Sequence, residues 1–164
     1  MMTKKCGAKV RRDRGFTLIE LVVAISIIAI LAAVALPRYI ALQAQARTAK
    51  LHAIYGGLRS AAALAHAMAM ASNATAAATI SMEGAVVTQV NGYPTADAAG
   101  IVAALQIGAV TDDVSISAGG AAAGSTLTID INGATTAANC RVSYTSALAN
   151  AAPVIALPAA PDCS

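Results

Sequence analysis

The sequence predicts an α+β chain in which one long N-terminal helix is followed by antiparallel strands. Three observations carry that prediction. Residues 21–36, LVVAISIIAILAAVAL, are almost wholly apolar. From Arg38 to about Ala71 there is no proline, and Ala, Leu, Gln, Arg and Lys, all good helix formers, dominate. Past Asp113 apolar residues recur at every second position, the period of a half-buried strand. A helix that precedes a run of strands implies a sheet lying on the outer half of that helix.

A chain of 164 residues, 57% of them hydrophobic, makes one domain plus a membrane segment. Much of that hydrophobicity is alanine, Trp is absent and Phe16 is the only Phe, which excludes a large aromatic core. The formal charge of +3 is unevenly spread. Lys4, Lys5, Lys9, Arg11, Arg12 and Arg14 precede Gly15 against Asp13 alone. After Gly15, five basic side chains stand against seven acidic ones, a net of −2. The basicity belongs to residues 1–15, so no nucleic-acid partner is implied.

A basic segment ahead of an apolar span keeps the N-terminus cytoplasmic and sends the rest of the chain across. Ala32, Ala33 and Ala35 imitate a signal-peptidase site. The run nevertheless continues through Leu36-Pro37-Arg38 into helix-favouring residues, so on pattern alone an uncleaved anchor over residues 16–37 stands beside a cleaved signal. Glu20 is the anomaly within it. An ionised carboxylate in a membrane is costly and calls for a partner, yet its apolar surroundings offer no cation. The bland alternative is a carboxylate near the interface that reaches water.

Residues 38–72 form the amphipathic half of the helix. Leu51, Ile54, Tyr55, Leu58, Ala62 and Ala65 fall on one face, expected against a head, with Gln45, Lys50 and Arg59 looking outward. Pro37 lacks an N–H and clashes with the preceding turn, so a kink or local melting is expected there. Gly56-Gly57 weakens the helix by about 1 kcal/mol per Gly relative to Ala. His52, Arg59 and His66 recur every seven residues. At a rise of about 1.5 Å per residue they lie about 10 Å apart, too far to share a metal, and read as a polar strip.

Residues 73–164 make the head. The stretch ASNATAAATISMEG reads as a surface connection and contains Asn73-Ala74-Thr75, formally a glycan-acceptor sequon. Asn91-Gly92 and Pro94 mark a turn, followed by a short helix with Thr95 as N-cap and Asp97 in its first turn. Residues 85–90 read as one strand, then DVSISAGG, STLTIDING and CRVSYTS as others, with an edge segment at 153–157. Gly119-Gly120 and Gly133 show no phosphate-binding spacing and read as hairpin loops.

The stretch RGFTLIELVVAISIIAILAAVALPRY resembles the N-terminus of type IV pilins and the related type II secretion pseudopilins, the class III signal-peptide family. Gly15, Phe16, Thr17, Leu18, Glu20, Leu21, the apolar run, Pro37 and Tyr39 carry the likeness. A Gly-Tyr-Pro-Thr stretch at residues 92–95 resembles the αβ-loop of pilins, particularly the mannose-sensitive haemagglutinin type. The resemblance implies a type IV pilin fold, with the N-terminal half of the helix transmembrane and the outer half packed against the sheet. It implies that a membrane prepilin peptidase removes residues 1–15 by cutting between Gly15 and Phe16, and that Phe16 is then N-methylated.

The cut would supply the missing cation. A free α-amino group has an unperturbed pKa of about 7.7–8.0, and methylation leaves it a cation. Phe16 and Glu20 share a helix face within one chain. Between staggered chains, the carboxylate of one meets the amine of the next, a pair tolerable when both members are present. Thr17 is expected to hydrogen-bond a neighbouring backbone carbonyl, and Pro37 to act as a hinge in assembly. Cys6 leaves with the leader as an incidental residue. Cys140 and Cys163 remain as a pair on the exported side, where oxidation is allowed. They resemble the C-terminal disulfide loop of pilins, a closure worth about 3 kcal/mol.

The function this implies is that of a structural subunit, a homo-oligomeric filament protein with no catalytic, cofactor-binding or metal-binding residues. Its precursor would sit in the inner membrane with a cytoplasmic N-terminus, meet the prepilin peptidase and an inner-membrane assembly platform, and finish in a cell-surface filament. The alternative is a pseudopilin of a type II secretion system. The major pseudopilin usually carries calcium in its C-terminal loops, whereas Asp112, Asp113 and Asp162 are sparse and separated here. No Ser/His/Asp or Cys/His set can be assembled for an enzyme. Phe16, Tyr39, Tyr55, Tyr93 and Tyr144 are few aromatics for a conducting filament.

Overall fold

Helix α1 spans Leu18–Ala71, 54 residues, in a computed structural model that describes residues 15–164. Cys6 and the other residues before Gly15 lie outside the described residues. The chain divides between Tyr39 and Ile40 into two compact units. In the first, every residue from Gly15 to Tyr39 is exposed, although nearly all are apolar. α1 stays helical through Pro37 and through Gly56-Gly57, so the local melting expected at Pro37 is absent. One missing N–H is outweighed by the good helix formers on either side.

In the second unit α1 buries one face. Leu51, Ile54, Leu58, Ala62 and Ala65 are buried as the spacing predicts, and Ala61 and Ala69 extend the stripe. Two residues depart from their expected outward positions. Lys50 turns inward, its ammonium donating to the backbone carbonyls of Asp112 and Asp113. His66 is half-buried and stacks on Tyr93, ring centroids 4.1 Å apart, while its Nδ1 donates to Gly92 O at 2.8 Å. Seven-residue spacing places His52, Arg59 and His66 on similar faces but says nothing of the hairpin that covers the last one. Gly57 also has a packing role: a Cβ there would lie 2.8 Å from Leu105 Cδ1.

The helix ends in a Schellman motif. Asn73 adopts left-handed backbone (φ 50°), its N–H bonds Met70 O at 3.2 Å, and Ala74 N–H reaches Ala69 O at 3.0 Å. The next residues make two small hairpins. β1 (Ile80–Met82) pairs with β2 (Ala85–Val87), and β3 (Gln89–Val90) with β4 (Tyr93–Pro94), both antiparallel. Each turn has two residues of positive φ, Glu83-Gly84 and Asn91-Gly92, the geometry that matches strand twist. Residues 85–90 are thus two strands rather than one. They separate at Thr88, whose N–H leaves the ladders to bond Ala99 O at 2.9 Å.

A π-helical turn, Ala98–Val102, continues into the short helix α2, Ala103–Leu105. Its N-cap is Asp97, not Thr95. Asp97 Oδ1 accepts from Gly100 N and from the Thr95 hydroxyl, both at 2.8 Å. A carboxylate can satisfy both donors, and buried Thr95 becomes a donor to the cap instead of the cap itself.

The main sheet is an antiparallel meander: β5 (Val114–Ala118), β6 (Thr126–Ile131), β7 (Arg141–Thr145) and β8 (Val154–Ala156), in that order. β8 is an edge strand, as its flanking prolines suggest. Leu127 faces Tyr144 and Ile129 faces Val142 across β6 and β7, and these side chains with Ile131 form one core with Leu51, Ile54, Leu58, Ala61 and Ala62 of α1. The opposite face is polar. Thr126 and Thr145 hydroxyls meet at 2.8 Å, and Asp130 takes a two-bond fork from Arg141 at 2.6 and 2.9 Å. That hydrogen bonding raises the Arg141 pKa above its ordinary value. A smaller cluster joins Ala65 and Ala69 to Ile80, Met82 and Val87. The fold is that of a type IV pilin, a long apolar N-terminal helix whose outer half packs on an antiparallel sheet.

Cys140 and Cys163 form a disulfide with a Cα–Cα distance of 4.9 Å. Around it, Asp162 N–H bonds Asn139 O at 3.0 Å and Arg47 of α1 donates to Cys163 O at 3.2 Å. The same guanidinium lies over the β6–β7 turn, where a Cβ on Gly133 would fall 2.9 Å from Nη2. Cys140→Ser should therefore destabilise the head by about 3 kcal/mol through lost loop closure. Thermal unfolding of the detergent-solubilised full chain measures it, and equal melting of mutant and wild type would contradict it.

Tyr144 is wholly buried and its hydroxyl donates to Pro94 O at 2.8 Å. Burial raises its pKa above the ordinary tyrosine range, with Tyr93 adding to the shift. An unfolded tyrosine ionises near pH 10, so this contribution to stability is full below about pH 10 and is lost as pH rises through the folded value. Chemical denaturation should show stability falling more steeply above about pH 10 in wild type than in Tyr144→Phe. Parallel profiles would exclude Tyr144 as the cause.

Candidate functional site

The sequence places its functional weight at the start of α1, where the pattern Thr17-Leu18-Ile19-Glu20 forms a capping box. Glu20 Oε2 accepts from Thr17 N at 3.0 Å and from the Thr17 hydroxyl at 2.7 Å. In return, Glu20 N donates to Thr17 Oγ1 at 3.3 Å. Four N–H groups at a helix start lack intrahelical acceptors; this reciprocal arrangement satisfies the Glu20 amide and also holds the N–H of Thr17. Thr17 is thus an N-cap. The expected bond from Thr17 to a neighbouring carbonyl is not made in the single chain. The S/T-x-x-E signature of this cap is present in the sequence.

The capping uses one carboxylate oxygen. Among the described residues, Glu20 Oε1 accepts no hydrogen bond and the whole side chain is exposed. Gly15 and Phe16 lie just before α1, with Phe16 82% exposed. From there, Leu18, Ile19, Val22, Val23, Ile27, Ile30, Leu31 and Val34 all project outward. α1 is long and apolar enough to cross a membrane by length and composition. A helix apolar all round requires a lipid or protein environment. Pro37 lies within the helix, and exposed apolar side chains continue past it at Tyr39, Ile40 and Leu42.

No group of three or more His, Cys, Asp or Glu side chains among the described residues could hold a metal ion. At Asp112-Asp113, the backbone carbonyls are occupied by the Lys50 ammonium, and Asp112 Oδ2 accepts from Gly108 N at 2.8 Å. The local cation is thus a side chain of α1.

The site and fold define a class: a chain with a class III N-terminal methylation signal on a type IV pilin fold. Comparisons with known proteins bear on both halves of that statement. The family described as "Prokaryotic N-terminal methylation motif" matches residues 10–36. Over 54 residues, 33% of this chain and 47% of the relative, the sequence is 50% identical to the "Type IV narrow pilus major component PilA5" of Thermus thermophilus. The chain thus carries the methylation motif and is homologous in its matched third to a type IV pilin, although the match spans about half of that protein's length. Neither finding links it to the mannose-sensitive haemagglutinin type. No solved structure matches.

Thr17→Val removes both side-chain bonds of the cap while keeping shape. It should fray the first turn of α1 by about 1 kcal/mol. Amide hydrogen exchange at Ile19 and Glu20 of the full chain in detergent micelles would show faster exchange there and none of it beyond Val23. Unchanged protection would deny the cap its role.

Proposed function

We propose that this chain is the precursor of a structural pilus subunit, a filament-forming protein rather than an enzyme. The observation that carries the reading is a methylation motif joined to a helix whose apolar first half is exposed among the described residues. Leader removal between Gly15 and Phe16 leaves Phe16 with a cationic, N-methylated amine. The capping box survives that cut, since Thr17 and Glu20 are both retained. Glu20 then divides its work: Oε2 closes the start of its own helix, and Oε1 accepts the amine of a neighbouring chain. The membrane holds the apolar half before assembly, and neighbouring helices replace lipid afterwards. In this scheme residues 16–37 polymerise, residues 38–72 support the head, and residues 73–164 form the outer surface. The partners are identical chains, a prepilin peptidase and an inner-membrane assembly platform. The Lys50 ammonium at the Asp112-Asp113 carbonyls favours a pilus over the calcium-bearing pseudopilin.

Glu20→Val tests the scheme. The variant should be inserted and cleaved, since losing a charge eases membrane insertion, and should fail to assemble, leaving few or no filaments by electron microscopy. Because valine also removes the cap, Glu20→Gln serves as the companion: it keeps an amide oxygen for capping and lacks only the charge. Filaments of normal number and length from Glu20→Gln would mean that the charge pair is dispensable.

A further inference from the structure

Asn73 sits at the point where α1 gives way to the head, and its backbone and side chain have different fates. The backbone is committed to the Schellman motif, in left-handed conformation and bonded to Met70 O. The side chain is exposed and makes no hydrogen bond among the described residues. Two other asparagine amides are occupied: Asn91 Nδ2 donates to Ala147 O at 2.9 Å, and Asn132 Nδ2 to Asp113 Oδ1 at 3.1 Å. Asn73 also begins Asn73-Ala74-Thr75, while Asn91, Asn132, Asn139 and Asn150 have no Ser or Thr two residues on.

The surface beside Asn73 has a particular chemistry. A depression of about 380 Å³ is lined by Asn73, His66, Ala76, Asn91 and Gly92 among others. A second, of about 400 Å³, shares His66, Ala76 and Asn91 and adds Tyr93 and Asn150. The stacked His66 and Tyr93 rings stand where the two meet. Neither depression is lined by Asp, Glu, Lys or Arg. Amides and ring edges beside the apolar Ala69, Met70 and Ala74, all without fixed charge, suit a neutral sugar, which has both hydroxyls and an apolar C–H face. They suit a charged ligand poorly.

We infer that Asn73 is an N-glycan acceptor whose first sugar lies over this uncharged surface. An oligosaccharyl transferase acting on the exported chain would join the Asn73 amide nitrogen to the anomeric carbon of a polyprenyl-pyrophosphate-linked oligosaccharide. The new bond is C–N, the bond broken is the anomeric C–O to pyrophosphate, and one amide proton is released to base. The requirement for Thr75 follows from the sequon, because the hydroxyl two residues on belongs to what the transferase reads.

Mass spectrometry of the mature protein purified from its own cells, with electron-transfer fragmentation of the peptide around Asn73, tests this. The expected result is a saccharide mass increment on Asn73. It should vanish in Asn73→Gln and Thr75→Ala and persist in Thr75→Ser. An unmodified Asn73 in wild type overturns the inference. So does an increment that survives Thr75→Ala, which would place the sugar on a hydroxyl or be indifferent to the sequon. Neither readout depends on filament formation, so failure here is distinct from failure of the proposed function.

Discussion

One constraint organises this chain: α1 carries an apolar surface that is left exposed over residues 18–39 among the described residues. Up to Tyr39 the helix is apolar on every side, and after Ile40 only one face is. The change follows from composition. Ile, Leu and Val crowd residues 18–36, whereas Ala, Gln, Arg and Lys dilute them afterwards. The sheet supplies Leu127, Ile129, Val142 and Tyr144 to cover the diluted half. Alanine at 61, 62, 65 and 69 lets the packed elements approach closely, and Leu51, Ile54 and Leu58 supply most of the bulk on the helix side. Such a core has little apolar area per residue, which explains the dependence on a disulfide and on cations anchored in α1.

Those cations work through backbone oxygens rather than carboxylates. Lys50 takes the carbonyls of Asp112 and Asp113, and Arg47 takes that of Cys163 while lying over the Gly133 turn. Three methylenes in Arg47 and four in Lys50 carry the charged heads out to these polar groups. The segment before β5 and the C-terminal end are thereby tied to the helix through hydrogen bonds to backbone oxygens. Asp130 and Arg141, by contrast, pair on the outer face of the sheet, where the Arg141 side chain is partly exposed. A surface pair of that kind contributes modestly.

Much of this was legible in the sequence because its signals are periodic. α1, the buried stripe from Leu51 to Ala65, and strands β5 to β7 each repeat a pattern long enough to read, while the three-residue β8 is marked by its flanking prolines. The cysteines were legible because only two remain past the leader. What escaped was short or non-local. β1 has three residues and β3 and β4 two each, too few for a period. The inward turn of Lys50 depends on a loop 62 residues away, and the partnering of His66 on a hairpin 26 residues away. Asp97 displaced Thr95 as a cap because burial of Thr95 decides which group donates. The capping box at Thr17 and Glu20 is a local signal, the S/T-x-x-E spacing, set inside the apolar pattern by which the segment reads as a membrane span.

The ring closed by Cys140 and Cys163 also sets a mechanical limit. A chain pulled from both ends lengthens as its strands peel away, by up to about 3.3–3.6 Å of contour for each residue released. The 23-residue interval between the cysteines would yield about 80 Å of slack if it were open. With the bridge intact, tension crosses that interval through a covalent step of 4.9 Å between Cα atoms. β7 and β8 lie inside the ring, so stretching cannot draw them out as extensible thread. The oxidised head behaves under load as a short link at its C-terminal end, and reduction turns the same residues into a spring.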